Sequence, residues 1–116
     1  MVVKWMPHLI IRGVSVDQVK TISSSLVHAL AVLCECGSDN FTLEIVQSTY
    51  VFDGDEVQGY PLIEVKWFDR GQEIQDQFAS IVTKHIQSLD IPEVEVAFST
   101  FLESAYYLNG KSFAST

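Results

Sequence analysis

A proline directly follows a methionine at Met6-Pro7, at the head of the apolar run formed by residues 8–11. When a chain begins at proline, its nitrogen is a secondary amine, which is a base and a nucleophile near neutral pH. Five residues precede Met6 here. If the mature chain keeps them, the nitrogen of Pro7 is an amide without basicity, and the proline only opens a strand at a sheet edge. Translation from Met1 or from Met6 decides between these alternatives.

A terminal Pro7 amine among apolar side chains would have a lowered pKa, because burial disfavours its charged form. The neutral nitrogen could then move a proton between the carbon and the oxygen of an enol, or attack an activated substrate. A substrate that carries a carboxylate also needs a cation or backbone N–H groups beside the proline.

Two arginines are candidates for that cation, because each follows a predicted strand and precedes a glycine: Arg12 and Arg70. Either could instead be a surface arginine paired with a nearby carboxylate. Aromatic residues at strand ends and in the tail could line a pocket, or belong to a core or an oligomer interface. These aromatic residues are Trp67, Phe68, Tyr106, Tyr107 and Phe113.

The length of 116 residues and the apolar content predict one domain over residues 1–116, in which residues 1–5 are an extension or a misassigned start. The formal charge of −8, with no basic stripe, excludes nucleic acid as an expected partner and disfavours anionic membranes. No apolar run approaches the roughly 18 residues that span a bilayer. No long apolar region marks a secretory signal, so we expect a cytoplasmic protein.

The two cysteines form a Cys-x-Cys sequence, Cys34 and Cys36, at a predicted helix end. A disulfide across a single residue would be strained, and zinc would need further ligands nearby. We therefore expect two reduced thiols, no metal and no cofactor.

Hydrophobic periodicity predicts a first strand–helix–strand unit. A strand over residues 9–12 precedes a helix in which Ser15 and Gln18 form a capping box. Gly37 suits a left-handed position just past the helix end. An extended segment over residues 41–52 completes the unit.

A polar turn over residues 53–59 leads to a second unit of the same kind. It comprises a strand over residues 62–68, a helix over residues 72–89 and a strand over residues 94–101. Asn109-Gly110 then predicts a short hairpin in the tail.

Two such units predict a two-layer α+β fold: a four-stranded mixed sheet, both helices on one face, and a short C-terminal hairpin. Val46, Leu62 and Phe98 are predicted on the face away from the helices. Two helices cannot cover both faces, so this apolar surplus predicts self-association.

These features together resemble the tautomerase superfamily, which includes macrophage migration inhibitory factor: Met6-Pro7, the two units, and the tail NGKSFA over residues 109–114. The runs YVFDG (residues 50–54) and EVKWFDRGQE (residues 64–73) resemble a bacterial branch with no established activity. The resemblance covers residues 6–114. It implies a tautomerase/MIF-like homotrimer with a pocket at each subunit interface and a terminal proline at its base. Such pockets typically interconvert keto and enol forms of small 2-oxo acids.

The chain departs from familiar members of the superfamily where their substrate contacts lie. Glu95 and Ala97 stand near the positions of a tyrosine and an asparagine in the cytokine-like members. Bacterial enzymes that isomerise dienol acids carry an arginine near Val14 or Ser15, where this chain has only Arg12 close by.

Three hypotheses remain open. The first is a trimeric, cofactor-free isomerase that uses Pro7 as its base on a small keto or enol acid. The second is a non-catalytic trimeric module of the same fold that binds a small carboxylate ligand or another protein. The third is a monomeric regulatory domain with a ferredoxin-like fold.

Overall fold

The structure, a computed structural model, describes residues 7–115. The first six residues, and with them the predicted extension over residues 1–5, lie outside this range. The strands and helices are β1 His8–Arg12, α1 Val16–Cys34, β2 Thr42–Val46, β3 Tyr50–Phe52, β4 Asp55–Val57, β5 Leu62–Phe68, α2 Gln72–Gln87, β6 Glu95–Phe101, β7 Tyr107–Leu108 and β8 Lys111–Ser112. Short 3-10 helices occur at Ser38–Asn40, Glu103–Ala105 and Phe113–Ser115.

Four strands form one mixed sheet in the order β2-β1-β5-β6. β1 runs parallel to β2 and antiparallel to β5, and β6 runs parallel to β5. Each parallel pair is connected through one helix, as such pairs require a long crossover. The predicted α+β fold with two strand–helix–strand units is therefore confirmed, and β7 and β8 form the predicted C-terminal hairpin.

The core lies between the sheet and the two helices. Directly paired residues share a sheet face, so Leu9 opposite Val65 and Ile11 opposite Ile63 point the same way. The helices pack on this face with the buried residues Val19, Ile22, Leu26 and Leu30 of α1 and Phe78, Val82 and Ile86 of α2. Burying each such side chain contributes about 1.5–3 kcal/mol, which holds the two layers together.

The start of α1 is capped as predicted, but its end is not. Ser15 Oγ accepts from the backbone N–H of Gln18 at 3.1 Å, and the Gln18 side chain accepts from the N–H of Ser15 at 3.0 Å. At the other end, Glu35 takes the left-handed conformation that we predicted for Gly37. The helix closes early because the N–H of Cys36 donates to the carbonyl of Ala31 at 3.1 Å.

The predicted extended segment over residues 41–52 is divided between two strands that belong to different sheets, and the predicted polar turn over residues 53–59 contains a strand, β4. β2 ends at Val46, and the chain then forms a separate hairpin of β3 and β4. Asp53 and Gly54, both with positive φ, make the two-residue turn. An Asp-Gly pair favours this hairpin because both of its central residues must adopt positive φ.

The sheet face away from the helices, here called the open face, differs from the prediction at one residue. Phe98 lies on the helix face, because it pairs in register with the buried Val65. Val46 and Leu62 share the open face with Arg12, and both are half-buried. Within residues 7–115, neither helix combines the length and the apolar character needed to cross a lipid bilayer.

Candidate active site

Pro7 lies at one end of the sheet, where β1 begins and β5 and β6 finish; we call this the Pro7 end. Its carbonyl accepts from the N–H of Thr42 at 3.2 Å, which extends the β1–β2 ladder by one residue. The β1–β5 register pairs His8 with Lys66, so one step further places Pro7 opposite Trp67. Opposite residues on one face have Cβ atoms roughly 4.5–5.5 Å apart. Pro7 is fully buried and neighbours Trp67 on the helix face.

The indole of Trp67 is 0% exposed and is held by two phenylalanines. Its ring centroid lies 5.3 Å from that of Phe78, edge-on, and 4.9 Å from that of Phe98. Edge-on and tilted aromatic contacts of this kind fix the orientation of a ring. Its Nε1 atom has no hydrogen-bond acceptor among the described residues.

Arg70 lies in the turn between β5 and α2 and brings a positive charge to Trp67. Its guanidinium carbon is 5.5 Å from the Trp67 ring centroid, a cation–π distance. Nη1 donates to the carbonyl of Phe68 at 3.3 Å. The carboxylate of Asp69 accepts from the N–H of Gly71 at 2.8 Å, which orders the turn that carries the arginine.

Cys34, the last residue of α1, also belongs to this end of the molecule. Burial raises the pKa of its thiol to about 11; the positive charge of Arg70 opposes the rise and the neighbouring Cys36 adds to it. Cys34 therefore lies within electrostatic reach of Arg70. From the sequence we interpreted Cys34 only as a structural thiol. Its position at the end of the apolar face of α1 was the one local feature that indicated its burial.

The raised pKa predicts that Cys34 reacts slowly with alkylating agents. In a Cys36→Ser variant at pH 8, only a very small fraction of Cys34 would be the reactive thiolate, because burial, the largest cause of the raised pKa, is retained. We expect iodoacetamide to modify the folded variant far more slowly than the urea-unfolded one, as measured by mass spectrometry. The pKa of the Cys34 thiol is higher in the folded chain than in the unfolded chain. Its contribution to the free energy of unfolding is therefore fully present below about pH 9 and is lost as the pH rises toward 11. Equal alkylation rates for folded and unfolded chains at pH 8 would contradict this prediction.

Three predicted pocket aromatics meet at the Pro7 end but on the open face. Phe113 stacks on Phe68 with centroids 5.6 Å apart, and Tyr106 lies 4.9 Å from Phe113 and 5.1 Å from Phe68. The N–H of Phe113 donates to the carbonyl of Tyr106 at 2.9 Å, which closes the tail over this cluster. Phe68, Tyr106 and Phe113 are thus separated from Trp67 by the sheet itself.

Arg12 lies at the opposite end of β1, which we call the Arg12 end. It is five residues from Pro7, or about 16 Å along an extended strand. Its Nη1 atom forms an ion pair with Glu64 on the open face. Within one chain the structure therefore brings Pro7, Trp67 and Arg70 together and leaves Arg12 apart.

The Pro7 end offers two of the elements that proton transfer on an anion needs. Arg70 supplies a positive charge, and Trp67 supplies an N–H donor that has no acceptor within residues 7–115. Across residues 7–115, no three side chains of His, Cys, Asp or Glu lie close enough together to hold a metal ion. The Pro7 end therefore brings a buried proline, a guanidinium and an indole N–H together.

Residues 6–112 match the family described as a domain of unknown function, DUF1904. The crystal structure of a DUF1904 domain from Sebaldella termitidis is 36% identical, with a TM-score of 0.84, over 92% of this chain and 99% of that chain. None of the curated proteins compared with the chain matches it.

Two more distant structures share the fold. Fused 4-OT, in a structure described as an asymmetric trimer, has a TM-score of 0.78 at 11% identity, over 94% of this chain and 98% of that chain. A macrophage migration inhibitory factor homologue from Prochlorococcus marinus has a TM-score of 0.70 at 21% identity, over 92% of this chain and 99% of that chain. The predicted tautomerase/MIF-like fold is thereby confirmed.

Proposed function

The chain belongs to the DUF1904 family, and we propose that it is a cofactor-free keto–enol isomerase of small 2-oxo acids with Pro7 as its base. The observation that carries this proposal is the burial of Pro7 opposite Trp67, with the guanidinium of Arg70 on the indole ring. Burial favours the neutral amine, which is the form that accepts a proton. Arg70 supplies the positive charge that a carboxylate substrate requires.

The proposed reaction moves one proton and needs no co-reactant. The neutral nitrogen of Pro7 removes a proton from C3 of the 2-oxo acid. The electron pair of that C–H bond forms the C2–C3 double bond, and the carbonyl electrons move to the C2 oxygen. This oxygen then takes the proton from the pyrrolidinium to give the enol, and the reverse path returns the keto acid. Arg70 holds the carboxylate throughout.

This chemistry requires a chain that begins at Pro7, since an amide nitrogen has no basicity. The family match begins at residue 6, one residue before the proline, which supports this position as the start of the shared domain. The test is turnover of an aryl 2-oxo acid, such as phenylpyruvate, by protein prepared to begin at Pro7. A cytoplasmic location is part of the proposal.

We further propose that the protein is a homotrimer. The two hairpins lie at opposite ends of the sheet: β3–β4 at the Arg12 end and β7–β8 at the Pro7 end. Both carry exposed apolar side chains, Val51 and Phe52 on the first and Tyr107 and Leu108 on the second. Contact between different surfaces on successive copies is heterologous and can close into a ring.

Head-to-tail contact also assigns a role to Arg12. It would bring the Arg12 end of one copy against the Pro7 end of the next, where a second cation can approach the substrate carboxylate. Arg12 would then serve a neighbouring site rather than its own.

The trimer predicts a mass near three times that of the single chain in size-exclusion chromatography with light scattering. Phe52→Ser should shift the protein toward monomer at micromolar concentration, because the side chain is 74% exposed at the hairpin tip. The matched control is Val32→Ser, which changes an apolar residue that is 65% exposed on α1. A monomeric parent, or the same oligomeric state in both variants, would contradict the proposal.

A non-catalytic module of the same fold is the alternative. Glu95 and Ala97, which stand near the substrate-contacting positions of the cytokine-like members, are exposed in this chain. A module of this kind would bind a small carboxylate ligand through Arg70 without proton transfer. It predicts that Pro7→Ala leaves ligand affinity unchanged and that no 2-oxo acid is turned over.

A further inference from the structure

Trp67 carries an unusual buried donor. Its Nε1 is the only fully buried side-chain nitrogen or oxygen within residues 7–115 that lacks a hydrogen-bond partner. Nearly all buried polar groups in native proteins are paired, so an exception calls for an explanation. A phenylalanine would preserve much of the ring packing on Phe78 and Phe98 without burying an unpaired N–H.

The surroundings of this donor point to an anionic ligand. Arg70 lies over the Trp67 ring, and Pro7 occupies the facing position on β1. A guanidinium supplies charge, whereas an indole N–H is a neutral donor with a fixed direction. A 2-oxo acid carries one group for each of them, a carboxylate for the charge and a neighbouring carbonyl oxygen for the donor.

We propose that Trp67 Nε1–H donates a hydrogen bond to the C2 oxygen of a bound 2-oxo acid while Arg70 holds its carboxylate. The identity of the ligand rests on the proposed function; the donor role rests on Trp67 itself. Negative charge develops on the C2 oxygen as Pro7 removes the C3 proton, so the N–H bond is stronger in the transition state than in the ground state. Donors placed in this way raise kcat more than they lower KM.

The indole proton resonance tests the donor role directly. The sequence contains two tryptophans, Trp5 and Trp67, so protein that begins at Pro7 gives a single indole N–H signal. We expect titration of the 15N-labelled protein with oxalate, a planar and unreactive dianion, to move this signal downfield and slow its exchange with water. A signal that oxalate leaves unmoved overturns the proposal. So does a signal that is already shifted downfield and protected in the free protein, because a buried water would then satisfy the N–H.

Kinetics of Trp67→Phe provide the second readout. With phenylpyruvate we expect kcat to fall about 100-fold with a nearly unchanged KM. An unchanged kcat overturns the donor role.

The proposed isomerase activity and the proposed donor role of Trp67 fail separately. A Pro7-dependent turnover with an unmoved indole signal rejects only the role of Trp67, and a shifted signal without turnover rejects only the isomerase. If Trp67→Phe does not fold, the oxalate titration of the parent protein still decides.

Discussion

Replacement of Pro7 by alanine is expected to reduce the turnover of phenylpyruvate at least about 100-fold in protein that begins at residue 7. General acid–base groups contribute this much because a positioned base removes the proton within the bound complex. Alanine keeps a terminal amine but lacks the ring that packs in the buried position opposite Trp67. Initial rates followed by ultraviolet absorbance of the enol measure the effect.

The matched control is His8→Ala, the next residue along β1. Its side chain points to the open face and lies 2.8 Å from the carboxylate of Glu44, away from the Pro7 amine. We expect its turnover to equal that of the parent. Protein that retains residues ahead of Pro7 is a second control and should be inactive, because its proline nitrogen is an amide. Undiminished turnover in Pro7→Ala would reject the isomerase.

Gly13→Ala is expected to destabilise the fold by about 2–5 kcal/mol, the largest stability effect that we predict. Gly13 has φ of +81°, where a side chain is strained. A Cβ atom there would also lie 2.5 Å from the carbonyl carbon and oxygen of Tyr60 and 2.8 Å from the nitrogen of Pro61. These are backbone atoms, which cannot rotate aside. The contact joins the end of β1 to the chain that begins β5.

Gly54→Ala separates the two causes of that loss. Gly54 has nearly the same φ, +83°, but no atom of the part of the chain that the structure describes lies within 4 Å of the added Cβ. We expect it to cost only about 1–2 kcal/mol, the strain of the left-handed conformation alone. Urea unfolding with an unchanged m-value measures both variants. Equal losses for the two would show that the close approach at Gly13 does not contribute.

Local signals in the sequence identified most of the fold. Ser15 and Gln18 marked the start of α1 because a capping box needs only residues three apart. The alternation of apolar and polar residues located β5, because this pattern also involves only residues close together in the sequence. The face of Phe98 was wrong, since alternation defines two faces without saying which one meets the helices; pairing with Val65 decides it. The β3–β4 hairpin was missed because Asp53-Gly54 stands within an acidic run that we interpreted as one long turn.

The candidate site was harder to predict because it depends on strand direction. Arg12 and Arg70 look equivalent in sequence, since each follows a strand and precedes a glycine. β1 and β5 are antiparallel, however, so the two arginines lie at opposite ends of the sheet. The same register, between residues about sixty apart in sequence, sets Trp67 opposite Pro7. No local pattern specifies such a pairing. That the Trp67 N–H lacks an acceptor among the described residues became visible only in the packed core.

The most direct test of the central claim, that Pro7 is a terminal amine, is the intact mass of the protein made from its own gene with its natural upstream region. We predict a mass that corresponds to a chain whose first residue is Pro7. A mass that retains any of residues 1–6 would make the nitrogen of Pro7 an amide, and it would contradict catalysis by proline.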